Sequence, residues 1–224
     1  MSDKLRIAVA GSTGLIGRMI LAEASRDPRL QLLALRRAPL AGSGNMQAES
    51  FVSDPENWRE GLEAFRPDGF ICALGTTWRK SGRNEAAFRA VDHDLVVQVA
   101  KAALEHGASR MVLISSVGAD SASKSFYLRV KGETEHDLRA LGFKRLDILR
   151  PGLLRGERGA ERRVGERAAI VLSPLTDNLL HGSMRRFRSI AAVEVAQAAV
   201  MLTCSTAPGF AIHHHDAIRA AARA

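Results

Sequence analysis

A chain of 224 residues, 46% hydrophobic and 25% charged, can bury a substantial core, and it contains no apolar run of membrane-spanning length. The net charge is +8, yet the arginines are scattered, aromatics make up 5%, and no nucleic-acid-binding motif appears. This argues against a nucleic-acid partner and leaves local cationic clusters for an anionic ligand. Cys72 and Cys204 lie in apolar runs without metal-ligand spacing and read as buried thiols. The N-terminus runs straight into an apolar strand and lacks the core of a secretory leader, so a cytoplasmic location is expected.

The first element is the apolar run Leu5–Ala10, followed by GSTGLIG at 11–17 and a helix carrying Ile16, Ile20 and Leu21. Glycines belong where backbone approaches a phosphate and where a helix lies close to its strand, and the helix start offers free N–H groups to a pyrophosphate. The second strand, from Leu30, ends at Arg36-Arg37; a weak strand follows near Met46–Val52, and Asp54-Pro55 opens a short helix with Trp58, Leu62 and Phe65 on one face. The fourth strand is GFICAL at 69–74, ending at Gly75, followed by a basic loop from Trp78 to Arg83 that is either solvated or closes over a bound phosphate. A long helix runs to about His106, with Gly107 as its stop.

Met111–Ser115 is the fifth strand, Lys124–Leu141 a helix, and Leu146–Leu149 a strand before Pro151-Gly152. Residues 155–189 are rich in Arg and Gly, with an apolar helix expected near 167–172. Ala191–Leu202 is an apolar helix, Phe210–Ile212 the last strand and Ala217–Ala222 the last helix. Strands that are apolar throughout, alternating with helices, imply a doubly wound parallel sheet covered on both faces, in one domain over residues 1–224. Its ligand is expected beyond the carboxyl ends of the strands.

Arg36 stands nineteen residues past Gly17, where a dinucleotide site carries the group that meets the ribose 2′-position. A guanidinium binds a 2′-phosphate that a carboxylate would repel, so NADP(H) is expected over NAD(H). Beyond the fifth strand stand Ser115 and Ser116, then Tyr127, the only tyrosine in the chain, with Lys131 one helical turn on. An ammonium near a phenol favours the phenolate, which suits proton exchange with a substrate oxygen, and a serine hydroxyl can bond the same oxygen. His213-His214-His215 reads as a surface cluster on a strand, with His213 and His215 on one face and no metal site.

With these residues in place the sequence resembles the short-chain dehydrogenase/reductase superfamily. It looks most like the atypical Tat-interactive-protein (CC3-like) group, through ICALGTT at 71–77, AVDHDLV at 90–96, LISSVGAD at 113–120, FYLRVKGETE at 126–135 and LRPGLL at 149–154. The resemblance implies a Rossmann fold binding NADP(H), with Ser116, Tyr127 and Lys131 as the catalytic serine, tyrosine and lysine. Lys131 would also hold the nicotinamide ribose. Gly11, Thr13, Gly14, Leu15, Ile16 and Gly17 would form the pyrophosphate turn, and Arg36 and Arg37 would meet the 2′-phosphate. Leu74 and Gly75 would lie near the adenosine ribose, and Pro151, Gly152, Leu153 and Leu154 would line the nicotinamide. The implied activity is an NADP(H)-dependent oxidoreductase acting on a small carbonyl or alcohol. The alternative is a non-catalytic NADPH-binding regulator or scaffold, since no substrate domain of the sugar-epimerase kind can be read after Arg155, where 155–189 forms a variable substrate-side segment. Whether the chain pairs with itself or with another protein stays open.

Overall fold

A seven-stranded, wholly parallel sheet carries the chain in the order β3-β2-β1-β4-β5-β6-β9. The computed structural model describes residues 4–39, 48–156, 177 and 180–224. The main strands are β1 (Leu5–Ala10), β2 (Leu30–Arg36), β3 (Ala48–Val52), β4 (Gly69–Cys72), β5 (Arg110–Ile114), β6 (Arg145–Leu149) and β9 (Gly209–His213). Two short strands, β7 (Leu154–Arg155) and β8 (Ile190–Ala191), pair in a separate small sheet. The helices are α1 (Leu15–Ala24), α2 (Trp58–Phe65), α3 (Glu85–Arg89), α4 (Leu95–Glu105), α5 (Phe126–Ala140), α6 (Ala192–Cys204) and α7 (His215–Ala221). Among the described residues no helix is long and apolar enough to cross a membrane.

The apolar runs become strands because the sheet is covered twice. Ile7 and Val9 face one core with Ile20, Leu21, Val195 and Ala199 from α1 and α6, whereas Ala8 and Ala10 face the other with Leu62, Val99, Ala103 and Leu138 from α2, α4 and α5. Such strands have no polar face, so they read as unbroken apolar runs. β1 pairs with β2 on one side and β4 on the other, which makes the gap between the ends of β1 and β4 the point where strand order reverses.

Several expected elements are adjusted. β4 stops at Cys72, so Leu74 and Gly75 lie in the loop beyond it, and β5 stops at Ile114, just before the serines. The long helix before Gly107 is three pieces: α3, a wider π turn over Ala90–Asp94, and α4. The pair β7–β8 and a 3₁₀ turn over Gly182–Phe187 were not anticipated. The helix expected near 167–172 lies outside the described residues. The three histidines straddle a junction: β9 ends at His213 and α7 begins at His215.

Candidate functional site

At the end of β1 the chain turns through Gly11, whose φ of +81° favours glycine, and a Cβ there would lie 2.4 Å from the Ala73 backbone. A Cβ on Gly17 would lie 2.1 Å from the Gly11 carbonyl oxygen. Turn, helix and the exit of β4 therefore interlock at their backbones. The first intrahelical bond of α1 runs from Arg18 N–H to Gly14 C=O (3.0 Å), and neither a capping side chain nor an acidic residue occupies its first turn. The N–H groups of Leu15, Ile16 and Gly17 thus face the positive end of the helix, beside exposed Thr13 and Gly14.

Arg36 ends β2 and is buried to 4% exposure, and its Nε has no hydrogen-bond partner among the described residues. Burial pushes its guanidinium below the usual value. A buried, unpaired guanidinium nitrogen is costly unless an anion meets it. Arg37 is exposed.

Across the switch point lie Ser116, Tyr127 and Lys131. Lys131 is buried in α5, and its Nζ stands 2.8 Å from Oδ1 of Asp92, itself 1% exposed. Burial alone would push the Lys131 ammonium down. The Asp92 carboxylate, with smaller contributions from Tyr127 and Cys72, outweighs it and holds the group above the usual lysine value. Asp92 Oδ2 accepts the Thr76 N–H (2.7 Å), and its own carbonyl accepts the Thr134 hydroxyl (2.9 Å). The chain at Gly75 passes over this pair, since a Cβ there would meet Asp92 Oδ1 at 3.4 Å and Lys131 Nζ at 3.7 Å.

Asp92 was not singled out from the sequence. Its signal was the AVDHDLV stretch, but one acid inside a helical pattern looks like any solvated position. The π turn puts it in the interior, consistent with the tendency of such turns to occur at functional sites.

Tyr127 lies in the first turn of α5 and is 38% exposed, with its ring centroid 5.7 Å from that of Phe88. The loop holding Ser116 is pressed onto α5 at Gly132, where a Cβ would lie 2.2 Å from the Ser121 nitrogen. It is also tied to the next loop by Val117 N–H to Pro151 C=O (3.0 Å). Ser116 and buried Pro151 are thereby brought to one edge with Gly152, Leu153 and Leu154, of which Leu153 is exposed. Among the described residues Ser116 Oγ has one long contact, to Val117 C=O at 3.4 Å. Ser115 is committed elsewhere: it donates to Glu135 (2.5 Å), which also receives Arg150.

Other expectations are corrected. His213 and His215 do not share a strand face: His213 pairs with buried Asp147 (2.7 Å), while His215, 5% exposed, pairs with Asp216 (2.8 Å). The cluster is therefore partly interior rather than a surface feature. No group of metal-ligating side chains forms among the described residues. Cys72 is buried and its thiol is pushed up to about 11 by that burial, whereas Cys204 is only half-buried.

The sheet order, its switch point and the glycine turn define a Rossmann fold. Among solved structures the chain resembles WbmG of Bordetella bronchiseptica in complex with NAD (TM-score 0.69, 13% identity, covering 94% of this chain and 73% of that one). It also resembles the UDP-Glc/GlcNAc 4-epimerase of Campylobacter jejuni (TM-score 0.69, 12% identity, 96% and 82%). The chain belongs to the HIM1 family, whose model matches residues 67–183.

Relatives are named protein fmp52, mitochondrial. That of Emericella nidulans is 42% identical over 164 residues, 70% of each chain. That of Coccidioides immitis is 36% identical over 207 residues, 86% of this chain and 83% of the relative. The mitochondrial names overturn the expected cytoplasmic location. A reading of the N-terminal residues for a secretory leader carries no information about an organelle address.

Proposed function

We propose that this chain is an NADP(H)-dependent oxidoreductase of the short-chain dehydrogenase/reductase type, acting on a small carbonyl or alcohol. The observation that carries this reading is the buried Lys131–Asp92 pair, one helical turn from Tyr127 and on the same edge as Ser116. The interlocked backbones at Gly11 and Gly17 and the uncapped start of α1 support a dinucleotide pyrophosphate there. The unpartnered Arg36 nitrogen supports a 2′-phosphate, hence NADP(H) over NAD(H). The narrower likeness to the Tat-interactive-protein (CC3-like) group is part of the same proposal and rests on the motifs at 71–77, 90–96, 113–120, 126–135 and 149–154.

The bound nicotinamide would supply or accept the hydride. The chain does the rest. Tyr127 gives a proton to the carbonyl oxygen, or takes one from the alcohol, and the Ser116 hydroxyl donates to the same oxygen. Lys131, fixed by Asp92, presents its charge to Tyr127 and its remaining N–H donors to the ribose. Pro151, Gly152, Leu153 and Leu154 exclude water along the nicotinamide.

Dissociation constants for NADP+ and NAD+ test the cofactor: NADP+ is expected to bind tighter, with Arg36→Leu removing the difference, and tighter NAD+ binding rejects the assignment. Tyr127→Phe should lower turnover by about 10²-fold or more with cofactor affinity unchanged; unchanged turnover sinks the mechanism. Cofactor binding without oxidation of NADPH across a carbonyl panel would move the reading to a regulatory or scaffold protein.

A further inference from the structure

Two large rings stand in solvent on the edge of the sheet that carries Tyr127. Trp78 is 42% exposed and Tyr127 is 38% exposed, so each leaves a large accessible area for a side chain with this much apolar surface. They are joined through Phe88, fully buried, and Phe126. Centroid separations are 5.7 Å for Trp78–Phe126, 6.3 Å for Trp78–Phe88, and 5.7 Å for Phe88–Phe126 and Phe88–Tyr127. The result is one aromatic cluster, closed beneath by Phe88 and open at Trp78 and Tyr127, that links the loop beyond β4 to the tyrosine of the candidate site.

The loop that presents Trp78 is held by its own bonds. Ser81 N–H donates to Thr77 C=O (3.0 Å), and both Arg83 N–H and the Ser81 hydroxyl donate to Trp78 C=O (2.9 Å each). Asn84 Oδ1 then caps α3 by accepting the Ala87 N–H (2.9 Å). Arg83 takes φ of +58°, a left-handed conformation that an arginine adopts at a cost. A strained, internally bonded loop that keeps an indole in water has the character of a preformed binding surface rather than a solvated connection.

Its rim is cationic. Arg79, Lys80 and Arg83 are exposed on the loop, and the Arg129 guanidinium lies 5.6 Å over the Phe126 ring. Glu85, at the start of α3, is the one acid in the stretch from 76 to 89.

We propose that residues Thr77–Asn84 form a substrate platform, and that its ligand is a planar aromatic carbonyl compound carrying an anionic group. The ring stacks on Trp78, the anion meets Arg79 or Arg83, and the carbonyl reaches toward Tyr127. This rests on the oxidoreductase reading for what happens to the carbonyl, but the binding stands by itself.

Three aldehydes separate the contributions: 4-carboxybenzaldehyde, with ring and charge; benzaldehyde, with the ring alone; and 4-oxobutanoate, with the charge alone. Their affinities are measured by calorimetry on the full chain, with and without saturating NADP+, a cofactor form that cannot reduce them. 4-Carboxybenzaldehyde is expected to bind about tenfold tighter than either control. Trp78→Ala should weaken it about tenfold, the loss expected from removing one stacking ring. Arg83→Gln should weaken it several-fold and leave benzaldehyde unchanged, and unaltered circular dichroism establishes that both variants fold. Equal binding of the three aldehydes, indifference to Trp78→Ala, or competition between the probe and NADP+ overturns the platform. Preferential binding without NADPH-driven reduction leaves the platform standing and removes the oxidoreductase reading. Reduction of all three aldehydes with equal efficiency and affinity does the reverse.

Discussion

Asp92→Ala tests the centre of the candidate site without needing a substrate. In the native chain Lys131 Nζ lies 2.8 Å from Asp92 Oδ1, with side-chain exposures of 7% and 1%. Removing the carboxylate leaves an ammonium without its counter-charge in a buried place, which costs about 3–5 kcal/mol. For a chain of this size each kcal/mol lowers Tm by roughly 2–4 °C, so a fall of about 10 °C is expected. The pH dependence gives a second handle. In the native chain Lys131 is held above its usual value, so its contribution is complete below about pH 10 and is lost as pH rises through the folded-state value. In the variant burial outweighs the smaller contributions of Tyr127 and Cys72 and depresses the group, so stability should climb as pH rises from 7 toward 10. In that window this group therefore gives the native chain no slope and the variant a rising one. Adding Lys131→Met to Asp92→Ala removes the stranded charge and should recover part of the loss. Thermal melts between pH 7 and 10.5 read all of this. A Tm change under about 2 °C, or a double variant no more stable than Asp92→Ala, would refute the buried pair.

Gly17→Ala places a methyl group 2.1 Å from the Gly11 carbonyl oxygen, so it should destabilise the chain by about 1–3 kcal/mol and abolish dinucleotide binding; a fluorescence titration equal to that of the parent would count against the interlocked turn. The Cys72 thiol, fully buried and pushed up to about 11, should resist iodoacetamide at pH 8 in the folded protein and react on unfolding. Rapid native labelling at that position, mapped by mass spectrometry, contradicts its placement.

The sheet was legible because its central strands are almost wholly apolar. Leu32–Leu35, Gly69–Cys72 and Met111–Ile114 are apolar on both faces, as strands of a parallel sheet covered on both sides are. The glycine turn and Ser116, Tyr127 and Lys131 were legible because their spacing relative to strand ends is itself the signal. What escaped was whatever depends on a shift of a single residue or on very short elements. A π turn adds one residue to a helical repeat, which an apolar pattern over Leu95–Leu104 does not register, so Asp92 looked solvated. Two-residue strands such as Leu154–Arg155 are too short to show any period. The histidines were misread because strand alternation was carried across a strand–helix boundary, where His215 turns inward.

That extra residue in the helix sets a rule of phase. In a regular helix each residue turns the chain by about 100°, so one added position rotates everything beyond it by that amount. Ahead of the turn, Phe88 packs inward beneath Trp78 and Tyr127, and within it Asp92 reaches Lys131; beyond it, Val96, Val99 and Ala103 fill the sheet core. Deleting one residue from 90–94 would regularise the helix, but only one of the two faces could then keep its direction. The chain can retain its core or its aspartate–lysine pair, and the widened turn lets it have both. The core of this protein and its buried aspartate–lysine pair are therefore geared together, and change at one must be answered at the other.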